Sequence, residues 1–435
     1  MKTTITAKLK LKTTPDQFRL LRQTQLAYRD ALNYVSAYSF VQGKTSNSKR
    51  LQKETYTDIR RQFGLPAQMA CSVPRQVGAT YKGLWTKARK NAEARRLGYT
   101  KRRFKGLDNA PKYGSPTLIY VYGHDYTLKT EQRVSLLTRA GRVMVSYQGY
   151  DKHIALLRER ADIGEAKLWY DQAKKRFYLL VSLTIELPNP APESHTRIVG
   201  VDVGQRYLAT VATLENGAQF YSGKEVRSKA DHYARLQKRL QRKGTRSATR
   251  RRIAISGRER RLKLNENHRI SKQILDTHPH SCIGLEALNG IRDRTKRKHG
   301  KKASKKQRRA NRHASKWAFA ELHAFLDYKA VLSGSLCVKV DADYTSQACP
   351  HCGHTAKENR PKRGLLFVCQ ACHYTLHADL VGARNISLRT LFVRQAWANT
   401  GQLSNAPDVT DDETKAARLQ KYAELRWSPA TSPLL

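Results

Sequence analysis

The stretch Ile198-Val199-Gly200-Val201-Asp202-Val203-Gly204 decides how the chain is read. A β-branched apolar run this short is a buried central strand, and one carboxylate, Asp202, interrupts it. A lone buried carboxylate costs free energy unless a cation or donor compensates it. Gly204 then turns the chain, and Tyr207 to Leu214 resumes an apolar, Thr-rich strand. Taken alone, Asp202 reads equally well as an edge carboxylate in water. The balance shifts because the pattern recurs. Ser281-Cys282-Ile283-Gly284-Leu285-Glu286 is a second apolar strand ending in an acid, and a third acid, Asp379, stands where Ala378 to Ile386 begins a helix. Acids at two strand ends and a helix start meet the needs of two-metal phosphodiester hydrolysis. There, Mg²⁺ or Mn²⁺ ions about 3.5–4 Å apart, held by hard oxygen ligands, serve the attacking water and the leaving oxygen.

Composition points to the partner. The 435 residues hold 82 Lys and Arg against 35 Asp and Glu, a net charge of +47. Self-repulsion on that scale calls for a polyanion. No apolar run approaches a membrane span, and Met1-Lys2-Thr3-Thr4 opens no apolar signal core. The expectation is a soluble protein without a membrane partner, cytoplasmic and associated with the nucleoid of a prokaryote. Seven Cys suit that compartment as thiols or metal ligands.

From the start of the chain, Ile5, Ala7, Leu9 and Leu11 alternate with Thr6, Lys8, Lys10 and Lys12, a half-buried strand with a basic outer face. Thr14, Pro15 and Gln17 form a capping-box signature before a helix through Val35. A second helix is expected from about Val73 to Arg96. Between about 113 and 188 the texture changes to strands, Leu118–Tyr122, Val143–Val145 and Phe177–Val181 among them, as in a small barrel or sandwich closed by the N-terminal strand. Pro188, Pro190 and Pro192 make a linker. Past a third strand near Ala218–Tyr221, Tyr233 to about Leu275 is a long basic helical stretch with few acids, and Gly244-Thr245-Arg246-Ser247 predicts a bend and hence a helical hairpin. Its arginines read as a phosphate-gripping surface, a solvated hairpin without ligand being the plainer alternative. The segment Arg292–Lys316 is dense in Lys and Arg with one acid, Asp293. It reads as a segment ordered on nucleic acid, or less simply as a targeting signal.

Cys349-x2-Cys352, sixteen residues, then Cys369-x2-Cys372 is the clearest local signal. Two thiolate pairs at this spacing suit a closed tetrahedral zinc site with a structural role; two disulfides are the alternative. His351, His354 and His373 read as neighbours of that site and not as ligands.

Together, Val201-Asp202-Val203-Gly204, Gly284-Leu285-Glu286, Tyr328-Lys329-Ala330, Thr345-Ser346-Gln347 before Cys349, the two Cys pairs, and Asp379 with Ala383-Arg384-Asn385-Ile386 resemble the TnpB transposon-associated nucleases, RNA-guided relatives of the small type V CRISPR effectors. The pattern covers the chain to about residue 390. It implies a multidomain α/β and α+β fold. A RuvC-like nuclease core of the RNase H type would occupy 196–344 plus 376–395, with a basic helical hairpin inserted at about 224–280 and a zinc ribbon at 345–375. The pattern does not explain the tail (396–435), whose Asp408, Asp411, Asp412 and Glu413, with Pro429 and Pro433, read as mostly disordered, but it places a wedge β-barrel (1–13 plus 106–192) and a helical recognition domain (14–105) before the core. It implies Asp202, Glu286 and Asp379 as catalytic Mg²⁺ (or Mn²⁺) ligands and Cys349, Cys352, Cys369 and Cys372 as ligands of structural Zn²⁺. Guide RNA and target double-stranded DNA are the implied partners, one protein per guide RNA, with cleavage next to a short adjacent motif. Arg239, Arg242, Arg250, Arg251, Lys301, Lys302, Lys305 and Lys306 are the candidate nucleic-acid contacts. Two positions depart from the pattern: His377 stands where the family often has Asp, and Val381 where it often has Asn. A catalytically silent RNA-guided regulator, a type V CRISPR effector, and a plain transposase or zinc-ribbon DNA binder are the alternatives.

Overall fold

The computed structural model describes residues 2–114, 117–159, 161–172, 174–288, 304, 308–310, 312–313, 318–360, 365–403 and 412–427. The chain divides into two compact units, Lys2–Leu187 and Pro188–Leu435.

In the first unit, strand β1 (Lys2–Lys12) buries Ile5, Ala7, Leu9 and Leu11, the alternation read from the sequence. It lies between β5 (Gly141–Gln148) and β7 (Arg176–Glu186) in a seven-stranded antiparallel sheet. The other members are β2 (Thr117–Tyr120), β3 (Tyr126–Lys129), β4 (Arg133–Thr138) and β6 (Ala161–Asp171), in the order β2-β6-β7-β1-β5-β4-β3. The two edges approach each other: a bridge joins Tyr122 to Tyr126, and the Tyr120 hydroxyl donates to the Leu137 carbonyl at 2.9 Å. The sheet is therefore a nearly closed barrel. Helix α1 (Pro15–Val41) starts with the expected capping box, Thr14 and Gln17 each bonding the other's backbone N–H. The polar segment after it is helical too. Asn47 caps α2 (Ser48–Phe63), whose Leu51, Thr55 and Ile59 are buried on one face, and α3 (Ala67–Arg96) begins six residues before the predicted start. A short helix, α4 (Asp151–Glu159), completes the unit.

The second unit is built on a five-stranded sheet, β10 (Ala218–Ser222), β9 (Tyr207–Thr213), β8 (Arg197–Asp202), β11 (Ser281–Glu286) and β12 (Leu336–Val340), in that order. The first three pair antiparallel, and β8, β11 and β12 pair parallel. Three helices lie between β10 and β11: α5 (Lys224–Lys243), α6 (Arg246–Ile255) and α7 (Arg258–Thr277). This corrects the predicted hairpin. Gly244 makes the anticipated bend in the left-handed conformation at φ 65°, but Gly257, at φ 76°, makes a second one. Helix α8 (Phe319–Leu332) packs with α7 against Val199, Val201, Ile283 and Leu285 on one face of the sheet.

The long helix α9 (Ala378–Thr400) covers the other face. Gly200 and Gly284 are register partners on adjacent strands. A Cβ built at Gly200 would lie 2.2 Å from the Ala383 carbonyl oxygen, and one at Gly284 would lie 1.8 Å from Thr390 Oγ1. The paired glycines form a trough that lets α9 approach the strands closely. Gly200→Ala is expected to push against helix backbone and not against a movable side chain, costing about 1–3 kcal/mol of stability. Thermal unfolding checks this; an unchanged Tm would mean that α9 is not held down at this point.

The disordered tail expected from 396 is also corrected. Helix α9 continues to Thr400, and α10 (Asp412–Glu424) follows. The acids at 408–413 suggested disorder, but the helix is held further along, where Tyr422 meets Phe392 edge-on at 5.9 Å and Arg418 pairs with Asp341. Pro429 and Pro433 lie outside the described residues.

Candidate active site and metal centre

Side chains alternate along a strand, so Gly200 and Asp202 share one face of β8, and Gly284 and Glu286 the same face of β11. That is the face α9 covers. The Gly-x-acid step repeats on both strands, so the trough that seats the helix sits two residues before each acid, on the same face. The third acid, Asp379, lies in the first turn of α9, where the helix dipole favours a negative charge. Three turns' worth of sequence is not needed to bring it close: a Cβ on Gly382, one turn along, would lie 3.1 Å from Asp202 Oδ2.

The electrostatics agree with this placement. Burial, then the nearby Glu286 and Asp379, push the Asp202 carboxyl well above its usual range, while Arg360 opposes the shift. Burial also raises Glu286, against the Thr345 hydroxyl that donates to its Oε1. Like charges gathered at a half-buried site are what a cation relieves. The donors are all hard oxygens, which fits Mg²⁺ or Mn²⁺. Among the described residues, only the four Cys are close enough to share a single ion. The wider spacing of the acids suits ions that take further oxygen ligands from elsewhere.

Several contributors to this site were not recognised as such in the sequence. Thr345, quoted there only as part of a motif, bonds Glu286. Asn385 of α9 donates to the carbonyls of Thr345 at 2.7 Å and Ala348 at 2.8 Å, holding that loop in place. Arg360, between the Cys pairs, lies 3.7 Å from Asp379. Only the repeated Gly-x-acid step could have announced the trough. The two departures from the family pattern have local roles. His377 caps α9, its Nδ1 accepting from the Asp379 N–H at 3.2 Å, with Tyr207 and Phe220 packed against its ring. Val381 is fully buried against Cys349, Phe367 and Cys369.

The four Cys sulfurs lie within 4.8 Å of one another, with Cys349–Cys372 at 3.7 Å and Cys352–Cys369 at 3.5 Å. Ligands about 2.3 Å from a tetrahedral zinc stand roughly 3.8 Å apart, whereas disulfide sulfurs stand about 2.05 Å apart. The set fits an ion and not two disulfides. The two loops share one design. Gly353 N–H donates to the Cys349 carbonyl and His373 N–H to the Cys369 carbonyl, and both residues are left-handed, at φ 79° and 57°. Burial raises the Cys369 thiol, but the N–H groups of Cys372 and Ala371 hold it down to about 7. The hairpin β13 (Leu366–Val368) and β14 (Thr375–His377) then runs directly into α9.

Of the candidate nucleic-acid residues, Arg239 and Arg242 are exposed on α5, lining an open groove with Arg235, Lys238 and Lys243. Arg250 and Arg251 are exposed on α6. Lys301, Lys302, Lys305 and Lys306 lie outside the described residues. Part of the same basic segment is turned inward: Arg309, Arg312 and His313 all contact Asp231 on α5, which is 7% exposed.

Residues 181–290 match the OrfB_IS605 family, described as "Probable transposase", and residues 319–386 match the Cas12f1-like TNB domain. The chain is 26% identical over 265 residues to the CRISPR-associated endodeoxyribonuclease Cas12f1 of Sulfoacidibacillus thermotolerans, covering 57% of this chain and 58% of that one. It is 29% identical to InsQ, a candidate RNA-guided DNA endonuclease of Escherichia coli (strain K12), over 49% of this chain and 54% of InsQ. A TnpB-like protein of Methanocaldococcus jannaschii is 32% identical over 30% of this chain and 44% of its own length.

In these regions the chain is similar to TnpB-family proteins.

The matches span about half the length of these curated relatives. The matched regions are informative: the first contains Asp202 and Glu286, and the second contains all four Cys and Asp379. The five-stranded sheet, with α9 across it, carries Asp202 on β8 and Glu286 on β11. Among the described residues, no helix is long and apolar enough to cross a membrane.

Proposed function

We propose that this protein is an RNA-guided DNA endonuclease that binds a guide RNA and cleaves complementary double-stranded DNA beside a short adjacent motif. The observation that carries the reading is the convergence of Asp202, Glu286 and Asp379 at one end of the sheet, from three elements far apart in sequence. Asp202, Glu286 and Asp379 hold Mg²⁺ or Mn²⁺. When bound, the ions supply an activated water and charge stabilisation at the leaving oxygen. Thr345 keeps Glu286 aimed, and Asn385 keeps Thr345 in place. Cys349, Cys352, Cys369 and Cys372 hold structural Zn²⁺ and, through β14, fix the start of α9.

Arg239, Arg242, Arg250 and Arg251 grip phosphates of the RNA or the heteroduplex, and one protein serves each guide. The barrel of the first unit acts as the wedge domain and its helices α1–α3 as the recognition domain. The names of the relatives support the activity: one is an endodeoxyribonuclease and another a candidate RNA-guided DNA endonuclease.

RNA that co-purifies with the protein should be one defined species, and with it the protein should cut a matched duplex only when Mg²⁺ or Mn²⁺ is present. Sequencing that RNA and assaying a duplex designed from it checks both. A protein that carries no defined RNA would overturn the guided reading. One that binds its matched duplex and never cuts would be a regulator.

A further inference from the structure

The family pattern leaves the C-terminal segment without a role. Helix α10 turns Arg418, Leu419 and Tyr422 inward, at the three- and four-residue spacing of one helix face, and Leu425 just past its end is partly buried too. Trp427 follows and is 6% exposed. Arg418 Nε donates to Oδ2 of Asp341, which is 3% exposed, and burial and then the same carboxylate push the Tyr422 hydroxyl up to about 12. Asp341 directly follows Val340, the register partner of Glu286. The Asp341 carbonyl accepts from Arg389 of α9 at 2.6 Å, and the Arg389 guanidinium lies 4.4 Å from the centre of the Tyr422 ring.

The far end of the segment reaches the ribbon. The Trp427 backbone N–H donates to the Pro350 carbonyl at 2.6 Å, and the Trp427 ring lies beneath the Arg384 guanidinium of α9 at 4.6 Å. The Ala423 carbonyl closes over Gly353, where a Cβ would lie 2.2 Å from it. Ten residues thus touch the strand beside Glu286, the helix that begins at Asp379, and the ribbon between the two. Arg418 also supplies the counter-charge that a buried carboxylate needs. Without it, Asp341 would pull on Arg389 and disturb the packing next to Glu286.

We propose that Arg418–Trp427 is a strap that positions Glu286 and Asp379 relative to each other by tying β12, α9 and the ribbon together. The inference rests on the nuclease reading above. Arg418, Tyr422 and Trp427 are positioning residues and touch no reacting atom.

The test compares full-length wild type with the Arg418→Ala/Trp427→Ala double variant, each loaded with guide RNA. Affinity for the matched duplex and zinc content should be unchanged. The single-turnover cleavage rate should fall roughly ten- to a hundredfold, as expected of a small misplacement of reacting groups, and half-maximal cleavage should need more Mg²⁺. Arg418→Lys, which keeps a cation on Asp341, should recover most of the rate. Wild-type rate and Mg²⁺ dependence in the double variant would overturn the strap. So would loss of zinc and DNA binding in both the double variant and Arg418→Ala alone, since that marks a general folding role. A wild type that never cuts would instead defeat the nuclease reading. Amide hydrogen exchange still tests the strap in that event: exchange in residues 378–390 should be faster in the double variant, and equal exchange would overturn the strap.

Discussion

Asp202→Ala protein is expected to bind its guide-matched duplex like wild type and to leave it uncut, with the rate down on the order of 10³-fold or more. Asp202 sits where burial and two neighbouring acids already push its carboxyl up. Losing that side chain removes the acid that feels both of the others. Binding should hardly change, because 82 Lys and Arg remain and phosphate contacts set most of the affinity. Stability should change little, since the substitution relieves repulsion with Glu286 and Asp379 and gives up only the opposing attraction of Arg360. An unchanged or raised Tm beside lost cleavage separates a role in metal binding from a structural one. Glu286→Ala and Asp379→Ala should behave alike, and pairs of these substitutions should cost little more than one, because the acids act as a unit. Cleavage, duplex binding and thermal unfolding on the same preparations check all of this. If Asp202→Ala cuts at the wild-type rate, the RuvC-like assignment of the site is wrong.

Cys349→Ser/Cys352→Ser should cost the protein its zinc and most of its cleavage together. The four sulfurs stand at the spacing of one tetrahedral ion, and such an ion contributes about 10–16 kcal/mol of apparent binding free energy to a small domain that folds around it. Phe367, Ala378 and Val381 pack directly on the Cys cluster, so there is little other core to hold the hairpin of β13 and β14 once the metal goes. The damage should pass along the chain, because β14 ends at His377, and His377 caps the helix whose first turn carries Asp379. The barrel and helices of Lys2–Leu187 form a separate compact unit and should stay folded. Metal analysis of the purified wild type and variant, with hydrogen exchange over residues 349–377, checks the prediction. Wild-type protein free of zinc would sink it.

The sequence by itself determined the features whose cause is local. Cys349, Cys352, Cys369 and Cys372 could be read as one site because each pair closes its own tight loop and the pairs stand sixteen residues apart. Asp202 and Glu286 could be read because each ends an apolar run that would otherwise reject a charge. Thr14 and Gln17 satisfy the start of α1 within three residues, so the capping box needed no tertiary information. The alternation of β1 told which of its faces is buried.

Periodicity tells which face is buried and not what lies against it, and that is where the sequence stopped. Thr345 reaches Glu286 across 59 positions, and Arg309 reaches Asp231 across 78. Nothing near Arg309 in the chain distinguishes it from arginines on an open surface, so a block read as uniformly nucleic-acid-facing is partly an internal ion-pair network. The tail was misjudged for the same reason. Its acids are local and its anchors are not: Arg418 is held by Asp341, Tyr422 by Phe392, and Trp427 by Pro350. Only the tertiary structure decided that Gly200 and Gly284 lie side by side, because strand register is a property of the sheet. That register lets α9 settle on the strands and brings its first turn, with Asp379, to the two acids they carry.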